Sequence, residues 1–270
     1  MTATEATTVL DVPANAGLNA VVVGEVATIT LNRPERLNSQ TPFTWNALVG
    51  VAAQLPGTVR VVVLRGAGKA FSAGLDRAMF SPEGIDGVPG VTALAGGTAE
   101  NAHAVIGDWQ RAFDWTSRTD VVSIAAVQGH AIGGGFQLAL GADIRIVAED
   151  VQFCMAEPKL GIVPDLGGTK RLADLVGYSR AAEICLTARR VGAEEALRIG
   201  LASAVVPVAD LDAAVDATVA QLLAIPRDAA IATKALLKAA AGNTQAEQQF
   251  AEIEAQYGRL RALAGLDSAG

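Results

Sequence analysis

The alternation of apolar and polar positions divides the chain into two parts. Up to about residue 190, short apolar runs alternate with longer segments of helical period. Residues 20–31 hold two such runs, broken at Gly24 and Glu25, and read as a hairpin. Residues 59–64 and 121–127 are almost wholly apolar, as expected of strands buried on both faces of a parallel sheet. Further strands are expected at 143–148 and 151–154. Between them fall predicted helices at 42–55, 102–115 and 134–142. The first has Thr41 as a plausible N-cap and Pro42 in first position; the second carries Val105, Ile106, Trp109, Ala112 and Phe113 at helical spacing. Strands separated by helices predict βαβ units and a mostly parallel sheet. From Gly167 onward the pattern turns helical, at 167–176, 179–186, 193–199, 210–224, 229–241 and 245–263, interrupted only by 202–207. The expected division is a loose tail over 1–17, a strand-bearing core over 18–195 and a helical region over 196–270. Residues 81–99, with five glycines and two prolines, read as a mobile loop.

Composition supports an ordinary globular protein. The 270 residues are 51% hydrophobic and 18% charged. A net charge of −7 argues against nucleic acid or an anionic membrane as partner. The N-terminal stretch lacks a basic segment followed by an apolar one, and no run of about 18 apolar residues occurs, so neither a leader nor a membrane span is expected. Cys154 and Cys185 show no paired spacing and read as two thiols in a reducing cytoplasm.

The most informative stretch is Gln128-Gly-His-Ala-Ile-Gly-Gly-Gly-Phe-Gln137, which joins the apolar run 121–127 to an Ala/Leu-rich helix. It reads as strand, glycine-rich turn and helix N-terminus. Glycines let the backbone approach a ligand closely, and the first N–H groups of the helix lack intrahelical partners. Such a turn can bind a phosphate or stabilise an oxyanion.

Three nucleotide or nucleophile motifs fail here. Gly66-Ala-Gly-Lys-Ala70 has Val63 and Ala70 where a phosphate loop needs Gly and Ser or Thr. Gly133-Gly-Gly135 lacks dinucleotide spacing, and Ala70-Phe-Ser-Ala-Gly74 lacks the first glycine of a nucleophile elbow. Ser72 is therefore expected to be a structural hydroxyl. His103 and His130 have no metal-ligand spacing; His103 reads as a solvated helix residue and His130 as lining the glycine turn, and no metal is expected.

Four segments fall in a recognisable order: Asn32-Arg-Pro-Glu-Arg-Leu-Asn38, Gly68-Lys-Ala-Phe-Ser-Ala-Gly-Leu-Asp76, Gln128 to Gly135, and Glu157 through Gly161-Ile-Val-Pro-Asp-Leu-Gly-Gly-Thr-Lys-Arg171. Together they resemble the crotonase superfamily of enoyl-CoA hydratases and isomerases over roughly residues 19–262. The resemblance implies a ββα spiral core with a helical C-terminal trimerisation region, a homotrimer or hexamer, and an acyl-CoA thioester as ligand. Coenzyme A would enter with the substrate, with no separate cofactor.

Carried over by position, the backbone N–H groups of Leu75 and Gly134 would form the oxyanion hole, and Glu157 would be the proton-transfer base. Hydratases of the family carry a first glutamate where this chain has Gln137, which cannot exchange a proton near neutral pH. One carboxylate suits a proton shuttle better than hydration, which divides its work between two. Asp165 stands where dienoyl-CoA isomerases of the family place a catalytic aspartate, and it could equally cap the helix from Gly167. Arg33, Arg36 and Leu37 would lie near the phosphates and pantetheine, Ala73, Asp76 and Arg77 near the adenine, and His130 and Gly133 along the bound ligand. Met79, Phe80, Trp109 and Phe113 are candidates for the acyl pocket. Double-bond isomerisation is thus expected ahead of hydration in fatty-acid β-oxidation. A catalytically silent acyl-CoA-binding protein is the reading from another class.

Overall fold

The computed structural model describes residues 6–266. Across its main sheet lie, in spatial order, β1 (Thr7–Val9), β2 (Leu18–Val23), β3 (Val26–Leu31), β4 (Val61–Gly66), β5 (Val122–Val127), β7 (Ile144–Ala148) and β10 (Ala204–Val206). The pairs from β1 to β3 are antiparallel, and all from β3 to β10 are parallel. A smaller sheet holds β6 (His130–Ile132), β8 (Gln152–Cys154) and β9 (Val191–Gly192).

The apolar runs have a direct cause. In β4, Val62 and Leu64 face the main core, whereas Val61 and Val63 join Ile124, Ala126, Ile146 and Ala148 on the opposite face. Leu211 and Val215 of α7 (Leu211–Ala224) cover that second face. Both faces are dry over residues 61–64, so neither parity can be polar there, and a charge first enters at the partly exposed Arg65. Each Val or Leu buried there contributes roughly 1.5–3 kcal/mol relative to exposure.

After each central strand the chain turns a corner into a second layer. Gln40 bridges Leu75, Ser72 bridges Ala131, and His130 of β6 lies opposite Gln152 of β8, all in parallel. Each turn then closes with helical structure. The first ends in α1 (Pro42–Gln54), capped reciprocally by Thr41 and Thr44. Next come α2 (Ala99–Asp114), α3 (Gly134–Gly141) and α4 (Gly168–Val176). The result is the expected spiral of strand, strand and helix, its turns stacked along the second layer.

The C-terminal helices follow as α5 (Tyr178–Thr187), α6 (Ala193–Arg198), α7, α8 (Arg227–Ala240) and α9 (Gln245–Leu263). Lys234 of α8 ties this region to the core. Its ammonium donates to the carbonyls of Thr116 and Val121 and to Asp143 Oδ2, at 3.2, 2.7 and 2.7 Å. No helix among the described residues is long and apolar enough to cross a membrane.

Three expectations change. Residues 7–9 are not a loose tail: they pair with β2, and Leu10 and Ala16 are buried; residues 1–5 of that segment lie outside the described residues. The stretch 128–133 is not a single turn, because 130–132 pair with β8 and extend the second sheet. Within the 81–99 loop, Val91–Gly96 forms a short 3-10 helix, and α2 begins at Ala99, three residues before the expected start.

Candidate active site

The second layer and α2 enclose a cavity of about 570 Å³. Trp45, Phe80, Leu94, Ile106, Trp109, Val163 and Leu166 contribute apolar walls, and Glu157 and Asp165 are the only ionisable side chains among the lining residues. Trp45 and Trp109 meet with ring centroids 5.2 Å apart. Phe113, though an expected pocket residue, packs behind them against Trp45, and Met79 is likewise buried outside the lining.

Two backbone N–H groups face this cavity for separate reasons. In the bridge between Gln40 and Leu75, Gln40 bonds to the residues on either side: its N–H donates to Gly74 O, and its carbonyl accepts from Asp76 N. The N–H of Leu75 therefore points away from that bridge. Gly134 is the first residue of α3, where an N–H has no intrahelical partner. Among the described residues neither N–H is bonded. Both belong to lining residues, and a Cβ added at Gly134 would stand 4.0 Å from Leu75 N. Gly74, at φ 84°, lets the two segments meet: a Cβ there would fall 2.4 Å from the Ile132 carbonyl oxygen.

Glu157 lies against Gly133, with Oε1 3.2 Å from the position a Cβ would occupy there. It is 7% exposed, and its Oε2 is buried without a hydrogen-bond partner. Burial pushes its carboxyl above the ordinary value; its own N–H, the Gln137 amide and the Ala156 N–H pull it back, and nearby Asp165 adds to the rise. Burial likewise raises Asp165, against a lowering by its own N–H. Asp165 lines the cavity and caps nothing, since the N-cap of α4 is Gly167 and no side chain bonds there. Gln137 is fully buried and outside the lining, bonded instead to Glu157 Oε1 at 2.7 Å. The arrangement can polarise a carbonyl at the N–H pair and move a proton beside it.

A family model described as Enoyl-CoA hydratase/isomerase matches residues 23–261. The chain belongs to the enoyl-CoA hydratase/isomerase family. The Short-chain-enoyl-CoA hydratase of Clostridium acetobutylicum is 36% identical over 200 residues, covering 72% of this chain and 71% of its own. The Carnitinyl-CoA dehydratase of Escherichia coli K12 is 38% identical over 192 residues, covering 70% and 67%. A Thermobifida fusca protein crystallised with acetoacetyl-CoA is 51% identical with a TM-score of 0.88, covering 92% of this chain and 96% of that one.

Of the remaining family positions most gather at the stacked corners outside the cavity lining. Arg33 is committed to the protein: it pairs with Asp76 at 3.0 Å and donates to the Ser39 carbonyl. Burial pushes Asp76 up, but the Ala78 N–H, the Ser39 hydroxyl and Arg33 together hold it below its ordinary value. Leu37, in left-handed conformation at φ 51°, accepts the Ala73 N–H through its carbonyl. Arg36 and Arg77 are exposed. Of these positions only Ala73 reaches the cavity, alongside Gly133. His130 stands on β6 outside the lining, its Nδ1 3.3 Å from Arg190. His103 is exposed on α2.

The support beneath the N–H pair went unnoticed in the sequence. Ser72 is a structural hydroxyl, as expected: it donates to Asn38 O and accepts from Gln40 Nε2 and Gly74 N. Gln40 Oε1 accepts the Trp45 indole at 2.9 Å. Asn38 binds the carbonyls of Ala67 and Ala70 and the N–H of Arg33. Asn38 and Gln40 sit in a polar run that reads as loop, and only the stacking of turns buries them. A pair of amide residues directly before a helix cap is the signal that could have found them.

Proposed function

We propose that this chain is an acyl-CoA enzyme that stabilises a thioester enolate and shifts a double bond, with Glu157 carrying the proton. The observation that supports it most is the meeting, in the lining of an apolar cavity, of two unpartnered N–H groups with the Glu157 carboxylate, one of whose oxygens has no hydrogen-bond partner. A carbonyl seated on Leu75 and Gly134 would bring its α-carbon towards Glu157, because that carboxylate lies against Gly133. Removing the α-proton moves charge onto the carbonyl oxygen, where each fixed donor is worth about 3 kcal/mol.

For a 3-enoyl thioester, Glu157 takes a proton from C2 to give the dienolate and returns it at C4, leaving the 2-enoyl product. No other reactant is consumed, so one carboxyl suffices. The lining holds no basic side chain, which favours an uncharged aliphatic acyl group over one bearing a carboxylate. The Thermobifida fusca complexes with acetoacetyl-CoA and with CoA support coenzyme A as the thioester part. The exposed Arg36 suits its phosphates, and the exposed Arg77 its adenine end. We expect Glu157→Gln to slow conversion of 3-enoyl-CoA to 2-enoyl-CoA by about 10²–10⁴-fold; an undiminished rate sinks the role.

A second reading is hydration, with Asp165 as the second carboxyl. Its position in the same cavity and the hydratase and dehydratase names of the relatives favour it. Loss of crotonyl-CoA hydration in Asp165→Asn, with isomerisation spared, would select that reading. Assembly as a homotrimer or hexamer is supported by α9, which buries no residue and exposes Phe250, Ile253, Tyr257 and Leu260. The free thiols Cys154 and Cys185 suit the cytoplasm.

A further inference from the structure

We propose that Gln137 is a positioning residue: its amide occupies Oε1 of Glu157, leaves Oε2 as the oxygen that takes the proton, and fixes the segment carrying Asp165. This rests on Glu157 being the base.

Gln137 is not among the residues that line the cavity, yet both polar atoms of its side chain are engaged in ordering the cavity's two carboxyls. Its Oε1 accepts the N–H groups of Leu166 and Gly168, at 3.0 and 3.1 Å. Two backbone donors converging on one atom mark that atom as the carbonyl oxygen, because an amide nitrogen cannot accept. The nitrogen must then face Glu157, and it donates to Oε1 at 2.7 Å. Gly168 makes room for this, since a Cβ there would fall 2.6 Å from Gln137 Cγ.

The consequences reach both carboxyls. Glu157 keeps one oxygen bonded and one bare, so the two are no longer equivalent as bases. The peptide group that follows Asp165 is pinned at both ends: its carbonyl, that of Asp165, accepts from Gln110 Nε2, and its N–H, that of Leu166, is held by Gln137. The Asp165 side chain is left facing the cavity. A glutamate at 137 would still accept the two N–H groups. Its second oxygen, however, would meet Glu157 Oε1 with no hydrogen between them unless the pair shared a proton. Glutamine removes that proton from the site while preserving the shape.

The test is the pH dependence of kcat/KM for 3-enoyl-CoA to 2-enoyl-CoA conversion in the unsubstituted protein, Gln137→Glu and Gln137→Met, with Glu157→Gln alongside. Gln137→Glu should move the acid limb upward by at least about one pH unit, because two carboxyls in contact cannot both ionise freely. Gln137→Met should also move it upward, since the donor that favours the ionised form is gone, and should lower kcat with KM little changed. Acid limbs that superimpose on the parent's, with Glu157→Gln inactive, overturn the positioning role and leave the base intact. Activity surviving in Glu157→Gln overturns the proposed function itself. Should neither Gln137 variant fold, amide hydrogen exchange in the unsubstituted protein decides. Slow exchange at Leu166 and Gly168 is expected, and rapid exchange there overturns the anchor.

Discussion

Gly133→Ala adds a single methyl group between a strained backbone position and the carboxylate of Glu157, the proposed proton carrier. Gly133 has φ 52° and ψ −121°, a region open to glycine and strained for other residues. Holding alanine there costs about 1–3 kcal/mol. At roughly 2–4 °C per kcal/mol, a cost near ~2 kcal/mol lowers the melting temperature by about 4–8 °C. The new Cβ would lie 3.2 Å from Oε1 and 3.5 Å from Cδ of Glu157, so the carboxylate must shift by a few tenths of an ångström. A full 1 Å error can cost about 10²-fold, so this shift alone should cost about tenfold. If the backbone relaxes instead, the 133–134 peptide rotates and the Gly134 N–H turns off the cavity. Melting is then nearly spared, while the rate falls by about 10²–10³-fold, as for a lost oxyanion donor. Thermal unfolding and initial rates on a 3-enoyl-CoA, measured on the same sample, separate the two outcomes. Unchanged melting together with unchanged kcat would refute the reasoning, because the strain would then appear nowhere.

Two further outcomes follow from buried charge. Lys234→Met should lower stability by about 3 kcal/mol in chemical denaturation, near the lower end for breaking a buried ion pair. Asp143 would keep Ser123 as donor, and its side chain is 29% exposed, which softens the loss; an unchanged midpoint would show that α8 is held by packing alone. Glu157 holds its proton more tightly folded than unfolded, so it favours the folded state below the ordinary glutamate range and loses that contribution as pH rises through its raised value. Glu157→Gln should therefore raise the melting temperature at neutral pH, with the gain shrinking on acidification. A gain that grew on acidification instead would reverse the assigned direction.

Much of the architecture was legible because the physics acting on it is local. Thr41 as N-cap and Pro42 at the first position mark the start of α1, and the apolar runs of β4 and β5 need only two dry faces. What the sequence misread was set by pairing between distant segments. Residues 7–9 look like a tail until β2 offers them an edge, and 130–132 look like a turn until β8 lies alongside.

The site divides in the same way. Sequence alone determined the chemistry available: glycine at 133, 134 and 135, a carboxyl at 157 and an amide at 137 that cannot exchange a proton. Tertiary structure decided how those groups meet. It turned the Leu75 N–H away from Gln40, laid Glu157 against Gly133, and withdrew Gln137 from the cavity to hold Glu157 from behind. A residue's chemistry travels with its side chain, but which of its atoms stays unbonded depends on neighbours 20 to 30 positions away, as with Gln137, Glu157 and Leu166. Only the stacked turns of the spiral bring those neighbours within hydrogen-bonding reach.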